Sequence, residues 1–286
     1  QPGSSFKPIV YATGFKGKFN PATTLWDVPP DFGNYRPDNY NGSFSGPVTV
    51  RHALANSLNV PAVKMLGLVG LDEALKTAHD LGLTTLNQPD RYGLSLVLGG
   101  GEVRPLDMAG AFAVFANGGT YRPPVSILKV EDPNGKVLFE YQSGKGEKEV
   151  LDPAVAYQIS DILSDNNARS TIFGARSALY FPNRPVAVKT GTTQEFRDAW
   201  TVGYTPGLAT AVWVGNNNNA PMSGGADGSV VAAPIFRRYL ETALDSTDVR
   251  PFVRPASLKS LTVDRFSNKL PTAASPETVT DLFAPW

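Results

Sequence analysis

The segment Lys189-Thr190-Gly191-Thr192-Thr193 lies between two strand-like runs, residues 185–188 and 199–204. This position predicts that the Lys-Thr-Gly is carried on a β-strand. Two more short motifs precede it, Ser4-Ser5-Phe6-Lys7 at the start of the chain and Ser57-Leu58-Asn59. A Ser-x-x-Lys, a Ser-x-Asn and a Lys-Thr-Gly used together are typical of enzymes that acylate a serine during catalysis.

The Ser-x-x-Lys pattern occurs a second time, at residues 126–129. That copy lies in an alternating run typical of a strand, which sends Ser126 and Lys129 to opposite faces. Ser4 and Lys7 instead open a predicted helix, where positions three apart share a face. The sequence therefore favours Ser4 and Lys7 as the functional pair.

The Ser-x-Asn pattern also occurs twice, and its second copy is Ser164-Asp165-Asn166. This copy ends a predicted helix that begins near Asp152, and polar residues are common at helix ends. The copy at Ser57 lies between two predicted helices and is favoured for that reason.

The small number of histidines limits the choice of catalytic base. A serine hydroxyl is a poor nucleophile at neutral pH and needs a neighbouring base. The chain has two histidines, His52 and His79, and neither stands in a nucleophile-elbow motif. A lysine serves as base only when it is neutral, and burial or a nearby second cation lowers the pKa of a lysine. We therefore predict that Lys7 is the base and Lys189 the second cation.

The other polar side chains of the motifs are predicted to move a proton or to bind substrate. Ser57 can relay a proton between the base and the leaving amine, and Asn59 offers an amide donor to a peptide carbonyl. Thr190 and Thr192 offer hydroxyls to a substrate carboxylate. A helix start at Ser4 places backbone N–H groups beside the developing oxyanion, and a second donor is expected at Thr192.

Longer strings extend the similarity beyond the three motifs. They are residues 1–8 (QPGSSFKP), 46–63 (GPVTVRHALANSLNVPAV), 92–100 (YGLSLVLGG), 196–200 (FRDAW) and 232–236 (AAPIF). With them, the chain resembles the transpeptidase domain of class A penicillin-binding proteins over roughly residues 1–244. Residues 35–40 and 94–100 are most similar to the 1C subgroup.

This resemblance implies an α+β transpeptidase fold, like that of penicillin-binding proteins and β-lactamases. An antiparallel sheet would be flanked by the first and last helices, with an all-helical subdomain at about residues 49–116. The resemblance implies that Ser4 is the acylated serine, Lys7 its base, and Ser57 and Asn59 the second motif. The strand side of the cleft is implied to be lined by Lys189, Thr190, Gly191 and Thr192.

The domain boundaries follow from the same resemblance and from composition. Residues 1–245 are expected to form the transpeptidase domain. Residues 246–286, with five prolines among many serines and threonines, are expected to form an extended, weakly ordered appendage.

In the family, strands of the central sheet, a linker, a glycosyltransferase domain and a membrane anchor precede the serine helix. The chain is therefore expected to be a fragment whose sheet lacks its N-terminal strands, with an open edge near residues 208–214.

Composition argues against several other function classes. The chain has 286 residues, of which 42% are hydrophobic, and this suits a globular domain with a substantial core. The formal net charge is zero, so nucleic acid is not expected as a partner. Because the chain has no cysteine and only two histidines, we expect no disulfide, no metal site and no cofactor.

Three functions are consistent with these motifs. The resemblance implies a serine DD-transpeptidase that cross-links peptidoglycan stem peptides and is acylated by β-lactams. The first alternative is a β-lactamase or DD-carboxypeptidase, which passes the acyl group to water. The second is an inert fragment that binds penicillin or peptidoglycan. No glutamate motif for deacylation lies between Asn59 and Lys189, which disfavours the first alternative, and the intact motifs disfavour the second.

The resemblance also implies a place in the cell. The family works at the outer face of the cytoplasmic membrane, in the periplasm or outside the cell. The chain is expected to belong to a bifunctional glycosyltransferase/transpeptidase, anchored to the membrane by a segment that is not among these 286 residues.

Overall fold

The computed structural model describes residues 1–33, 35–245 and 249–286. The helices of these residues are α1 (Lys7–Phe15), α2 (Val50–Ala55), α3 (Asn59–Val69), α4 (Leu71–Asp80), α5 (Pro105–Ala116), α6 (Pro153–Ser164), α7 (Asn166–Phe173) and α8 (Ala233–Ala243). The strands are β1 (Thr24–Asp27), β2 (Gly46–Thr49), β3 (Thr120–Tyr121), β4 (Lys129–Glu131), β5 (Val137–Glu140), β6 (Lys148–Glu149), β7 (Ala187–Thr192), β8 (Asp198–Thr205), β9 (Leu208–Gly215), β10 (Lys259–Asp264) and β11 (Thr278–Phe283).

The central sheet consists of three antiparallel strands in the order β7, β8, β9. On one face, Phe236 and Leu240 of α8 pack against Val188 of β7. On the other face, α5 covers β8 and β9 while α6 contacts β7, and the rings of Phe112 and Tyr204 meet edge to face at 6.1 Å. Because both faces are covered, β8 is buried along its whole length. Among the described residues, β9 forms one edge of this sheet and is half-buried throughout.

The last helix flanks the sheet as predicted. The predicted first helix, residues 1–15, contacts β7 and β8 through its Gly3–Phe6 turn, whereas α1 itself packs mainly against α3, α4 and α6. All nine residues of α1 are buried, so protein surrounds this helix on every side. The second face of the sheet is covered mainly by α5 and α6.

The segments around the helical part also differ in detail from the prediction. Residues 16–48 are rich in proline, glycine and asparagine, a composition that predicts a long loop, yet they include β1 and most of β2, which pair antiparallel. Between residues 50 and 116, the structure has the helices α2 to α5 and two short 3₁₀ turns, Pro89–Arg91 and Leu94–Leu98. Thr49 caps α2 as predicted, because its hydroxyl accepts the N–H of His52 at 3.2 Å.

The C-terminal segment is ordered, contrary to the prediction of a weakly ordered appendage. β10 and β11 pair antiparallel over six residues each. The hairpin is attached to the rest of the fold: Gln158 of α6 donates to the Leu282 carbonyl at 3.0 Å, and Leu282 is buried. The residues of these two strands are mostly polar. Contacts with the helices stabilise the hairpin, and composition does not show such contacts.

Arg51 is the main ionic connection between this hairpin and the helices. Its guanidinium lies 2.6 Å from Asp161 and 3.3 Å from Asp165, and it lies 2.5 Å from Asp281 on β11. The Asp281 side chain is only 2% exposed, so loss of Arg51 would leave a buried carboxylate without its cation.

We predict that Arg51→Met lowers the free energy of unfolding by about 3 kcal/mol or more. Urea unfolding followed by circular dichroism measures this change. The control is Arg36→Met, because the Arg36–Asp31 pair is exposed at both ends and should contribute little. Equal unfolding midpoints for the two variants would contradict the prediction.

Candidate active site

Ser4 lies on a tight turn instead of inside the predicted helix at residues 1–15. Residues Gly3–Phe6 form a 3₁₀ turn, and α1 begins only at Lys7. The N–H of Lys7 bonds to the carbonyl of Ser4. Pro8 has no N–H with which to make the α-helical bond to that carbonyl, which explains the tighter turn. Because 3₁₀ geometry has three residues per turn, Ser4 and Lys7 still share a face.

Two glycines allow the serine turn to lie directly against β7. Gly3 has a positive φ of +56°, and a Cβ at this residue would come within 2.6 Å of the Thr192 nitrogen. A Cβ on Gly191 would come within 2.1 Å of the Pro2 carbonyl oxygen. The glycine of the Lys-Thr-Gly motif thus provides the space that brings Ser4 beside the strand.

The three motifs meet at the hydroxyl of Ser57. Lys7 Nζ donates to the Ser57 carbonyl at 2.5 Å and to Asn59 Oδ1 at 2.7 Å, and it lies 3.3 Å from Ser57 Oγ. Lys189 Nζ lies 2.7 Å from the same Oγ and donates to the Thr190 carbonyl at 3.0 Å. A serine hydroxyl is therefore hydrogen-bonded between two buried lysines, an arrangement that can carry a proton from one group to the next.

Ser4 itself is half-buried, and its hydroxyl makes no hydrogen bond to any residue that the structure describes. The predicted convergence on Ser4 is therefore not seen: Lys7, Ser57 and Lys189 meet at the Ser57 hydroxyl, and the Ser4 hydroxyl bonds to none of them. Such contacts are often loose in ligand-free enzymes and tighten when substrate binds.

Ser57 has a backbone conformation that is unusual for its residue type. Its φ is +59°, in the left-handed region, where a residue with a side chain is strained. The preceding residue, Asn56, holds the turn in place. Its Nδ2 donates to the Ala168 carbonyl at 2.7 Å, and its Oδ1 accepts the N–H of Ile172 at 3.2 Å, both on α7. The sequence did not predict α7 or the role of Asn56.

Asn59 is oriented by residues of the loop before β2. Its backbone N–H donates to Asn39 Oδ1 at 2.8 Å, and its Nδ2 donates to the Asp38 carbonyl at 2.8 Å. Asn39 is in turn fixed by Asp27, at 2.8 Å. Asn39 and Asp27 were missed because no local pattern marks them; the similarity of residues 35–40 to a known subgroup was the only available signal. One amide N–H of Asn59 remains available for a ligand.

Burial and neighbouring positive charges lower the pKa of both lysines of the site. Burial lowers the pKa of Lys7 well below its ordinary value, and the nearby Lys189 lowers it further. Burial lowers the pKa of Lys189 to about 7, with repulsion from Arg169 as the second cause. Lys189 can therefore release a proton near neutral pH, and Lys7 loses its proton more readily than an ordinary lysine. Nowhere in the described parts of the chain do three or more potential metal-ligating side chains come together.

Thr190 and Thr192 continue the site along β7. Thr190 is 6% exposed. The Thr192 hydroxyl accepts the N–H of Gly228 at 3.0 Å, so its own proton is free for donation to a ligand.

The two competing motif copies lie elsewhere. The Ser164 hydroxyl donates to the Asp161 carbonyl at 3.3 Å at the end of α6, beside Arg51 and the C-terminal hairpin. Ser126 is exposed in the segment that leads to β4. Neither serine takes part in the lysine cluster.

We predict that Ser57→Ala slows acylation of the protein by a penicillin by about 10²–10⁴-fold, because it removes the proton relay between the two lysines. The rate is measured by quenching the reaction at set times and reading gel fluorescence with a labelled penicillin. Ser164→Ala is the matched control from the other Ser-x-Asn and should react like the wild type. A slower Ser164→Ala with a normal Ser57→Ala would show that the wrong motif was chosen.

Comparison with known proteins identifies the family. The sequence matches the penicillin-binding protein transpeptidase domain family over residues 1–241. It is 32% identical to penicillin-binding protein 1A of Neisseria flavescens over 266 residues, which are 89% of this chain and 33% of that protein. The chain therefore spans about a third of the length of such relatives. These relatives bear the name 1A, so the similarity to the 1C subgroup stays a prediction.

Solved structures agree with the family assignment. The fold matches penicillin-binding protein 1A from Haemophilus influenzae with a TM-score of 0.82 and 25% identity, covering 100% of this chain and 48% of that one. It matches PonA1 from Mycobacterium tuberculosis, solved in complex with penicillin V, with a TM-score of 0.80 and 27% identity over 90% of this chain and 72% of that one. These matches confirm the predicted α+β fold. With the three motifs gathered around one serine hydroxyl, the chain belongs to the penicillin-binding protein transpeptidase domain family.

Proposed function

We propose that this chain is a serine DD-transpeptidase domain that cross-links peptidoglycan stem peptides through an acyl-enzyme on Ser4. β-Lactams would acylate the same serine. The observation that carries this proposal is the Ser57 hydroxyl, hydrogen-bonded between the buried Lys7 and Lys189 beside the turn that bears Ser4. The relative crystallised with penicillin V supports the β-lactam part of the proposal.

The hydrogen bonds of the lysine cluster support the following acylation step. Ser4 Oγ attacks the carbonyl carbon of the D-Ala-D-Ala bond, and neutral Lys7 takes the hydroxyl proton. The Ser57 hydroxyl passes a proton to the nitrogen of the departing D-Ala as the C–N bond breaks. An amine of a second stem peptide then attacks the ester, returns its proton to the cluster and releases Ser4.

β7 provides the surface along which an extended donor peptide can lie. It is the other edge strand of the central sheet in the described structure, so a peptide can pair with it by backbone hydrogen bonds. The Thr192 hydroxyl and the Lys189 charge suit the terminal carboxylate of the donor. The backbone N–H groups of Ser4 and Thr192 lie on facing segments and suit the oxyanion.

We favour transfer to an amine over transfer to water, because the sequence matches a transpeptidase domain family. Relatives in Neisseria and Haemophilus are named penicillin-binding protein 1A, which agrees with this choice. We further propose that the chain acts at the outer face of the cytoplasmic membrane, where peptidoglycan is assembled, as part of a longer protein with a glycosyltransferase domain. Within the described ranges, no helix is long and apolar enough to cross a bilayer.

Two assays test the proposed function. The first measures covalent labelling of the protein by a fluorescent penicillin, and the absence of labelling would support the inert alternative. The second supplies a stem pentapeptide with an acceptor amine and follows the products by mass spectrometry. Release of D-Ala together with a cross-linked dimer is expected. Release of D-Ala with a free tetrapeptide alone would identify a carboxypeptidase.

A further inference from the structure

His52 lies on α2, shortly before Ser57, and the proposed mechanism does not use it. Its imidazole is half-buried, and the Nδ1 of the ring lies 3.3 Å from the Nδ2 of Asn56. The other ring nitrogen, Nε2, makes no hydrogen bond to a described residue. The ring lines a surface cavity together with Thr49 and Arg265, so protons from solvent can reach it.

The amide of Asn56 is held in one orientation by α7. Its Oδ1 accepts the N–H of Ile172 at 3.2 Å, and its Nδ2 donates to the Ala168 carbonyl at 2.7 Å. A reversed amide would lose both bonds, because oxygen would face oxygen and N–H would face N–H. The second N–H of Nδ2 is shared between the His52 carbonyl, at 3.1 Å, and Nδ1 of the same residue. Nδ1 therefore has to accept, and it carries no proton.

A proton on Nδ1 is incompatible with these contacts. Both nitrogens of an imidazolium are donors, so the Nδ1 N–H would point at the N–H groups of Asn56. Because Asn56 is only 2% exposed, water does not replace the bonds that it loses. The next residue is Ser57, whose φ of +59° is strained and persists only while surrounding contacts hold it. Protonation of His52 therefore allows the Ser57 turn to relax away from Lys189.

The surroundings of His52 keep it neutral at pH 7. Burial lowers its pKa below the ordinary value of 6.5, the charge of Arg265 lowers it further, and Asp27 partly opposes the shift. Arg265 itself pairs with Glu277 on the C-terminal hairpin, and Asp27 bonds to Asn39.

The other ionisable groups of α2 and of the elements packed against it are bound elsewhere or stay neutral. These are Arg51 with Asp161, Asp165 and Asp281; Lys7 at Ser57; Lys64 at the Trp26 carbonyl; Arg169 at the Leu163 carbonyl; and Tyr11 and Tyr157, whose pKa values burial raises.

We propose that His52 is a positioning residue for the proton relay: its unprotonated Nδ1 holds Asn56, and through Asn56 it holds the Ser57 turn in place between the two lysines. Protonation of His52 releases that turn. Acylation then requires a neutral histidine in addition to a neutral lysine. This inference rests on the proposed acylation through the Ser57 relay.

The pH dependence of acylation by a penicillin tests the inference. His52→Asn keeps an acceptor at the position of Nδ1 but does not titrate. The lysines titrate in both proteins, so their effect cancels in the ratio of the wild-type rate to the variant rate. With this ratio set to one at about pH 8, we expect it to fall to about one tenth at one pH unit below the His52 midpoint. A ratio that stays constant from about pH 5 to about pH 8 would overturn the inference.

Two further variants separate this role from a general structural one. His52→Leu fills the site without an acceptor and should be acylated about 2–10-fold more slowly than His52→Asn, the effect of one lost hydrogen bond. Equal rates for these two variants would show that Asn56 needs no acceptor, against the inference. His79→Gln is the control from the other histidine, whose Nε2 lies 2.7 Å from the Leu86 carbonyl. It should follow the wild-type pH profile, and a profile like that of His52→Asn would refute the assignment to His52.

A second measurement needs no acylation. ¹⁵N NMR of histidine shows which ring nitrogen carries the proton, with His52 assigned by the loss of its signals in His52→Asn. At about pH 8 we expect the proton on Nε2 alone. The side-chain amide of Asn56 and the backbone amide of Ser57 should then shift with the His52 midpoint, below pH 6.5.

A neutral His52 with its proton on Nδ1, or amides that do not follow its titration, would overturn the inference. If the wild type is not acylated but Nδ1 is unprotonated and both amides follow His52, the proposed function fails and the role of His52 in holding the Ser57 turn stands.

Discussion

Ser4→Ala is expected to abolish the covalent adduct between the protein and a penicillin. The Ser4 hydroxyl makes no hydrogen bond to the described residues, its turn lies against β7, and alanine has no atom that can form the ester. Because no ester can form at residue 4 without the serine oxygen, no adduct should appear within hours. Intact-mass spectrometry measures the adduct, and peptide mapping of the wild type locates it.

The matched control for this variant is Ser126→Ala, from the second Ser-x-x-Lys. Ser126 is exposed and remote from the cluster, so the variant should be labelled like the wild type. Labelling of Ser5, Ser57 or Ser126 in the Ser4→Ala protein would refute the assignment. Ser5 is the most instructive of these, because its hydroxyl is buried and already bonded to the Pro2 carbonyl at 2.7 Å.

Lys7→Met is expected to slow acylation by about 10²–10⁴-fold, the usual contribution of a general base. Methionine fills a similar buried volume but accepts no proton at this position. The substitution also removes the Lys7 ammonium group that bonds to Ser57 and Asn59, so the relay through Ser57 loses the group that first takes the proton. The second-order rate constant of acylation, determined at several penicillin concentrations, measures the effect.

Lys16→Met is the control for the base assignment. Lys16 follows the end of α1, and its Nζ lies 3.2 Å from the Thr77 hydroxyl, away from the cluster. This variant should be acylated at the wild-type rate. An adduct on Ser4 that forms in Lys7→Met within tenfold of the wild-type rate would mean that another group takes the proton. Thermal unfolding of both variants establishes that any loss is not due to a failure to fold.

The location of the site could be predicted because the residues around its motifs indicate the local secondary structure. The apolar runs around Lys189 predicted a strand, and β7 confirms it. Ser126 takes no part in the lysine cluster, but the strand predicted there is wrong at Ser126, because β4 begins only at Lys129. Ser164 ends α6 as predicted. At Lys189 and Ser164, the deciding information lay within a few residues, where side-chain periodicity indicates secondary structure.

The supporting residues could not be predicted in the same way. The left-handed φ of Ser57 is imposed by Asn56 through contacts with α7, more than a hundred residues later. Asn39 orients Asn59 from a loop without a recognisable pattern. The C-terminal hairpin looked unstructured because its composition is polar, and Arg51 stabilises it from the other end of the chain.

The chemical groups of the site can be identified from residue order alone: a serine, two lysines and an amide in three short motifs, one of them on a strand. The approach of the serine turn to that strand, which Gly3 and Gly191 permit, exists only in the folded chain, as does the burial of Lys7 and Lys189. The reason is physical. Residue identity and periodicity are local properties, whereas burial, close backbone approach and the repulsion that lowers a lysine pKa depend on which distant segments pack together.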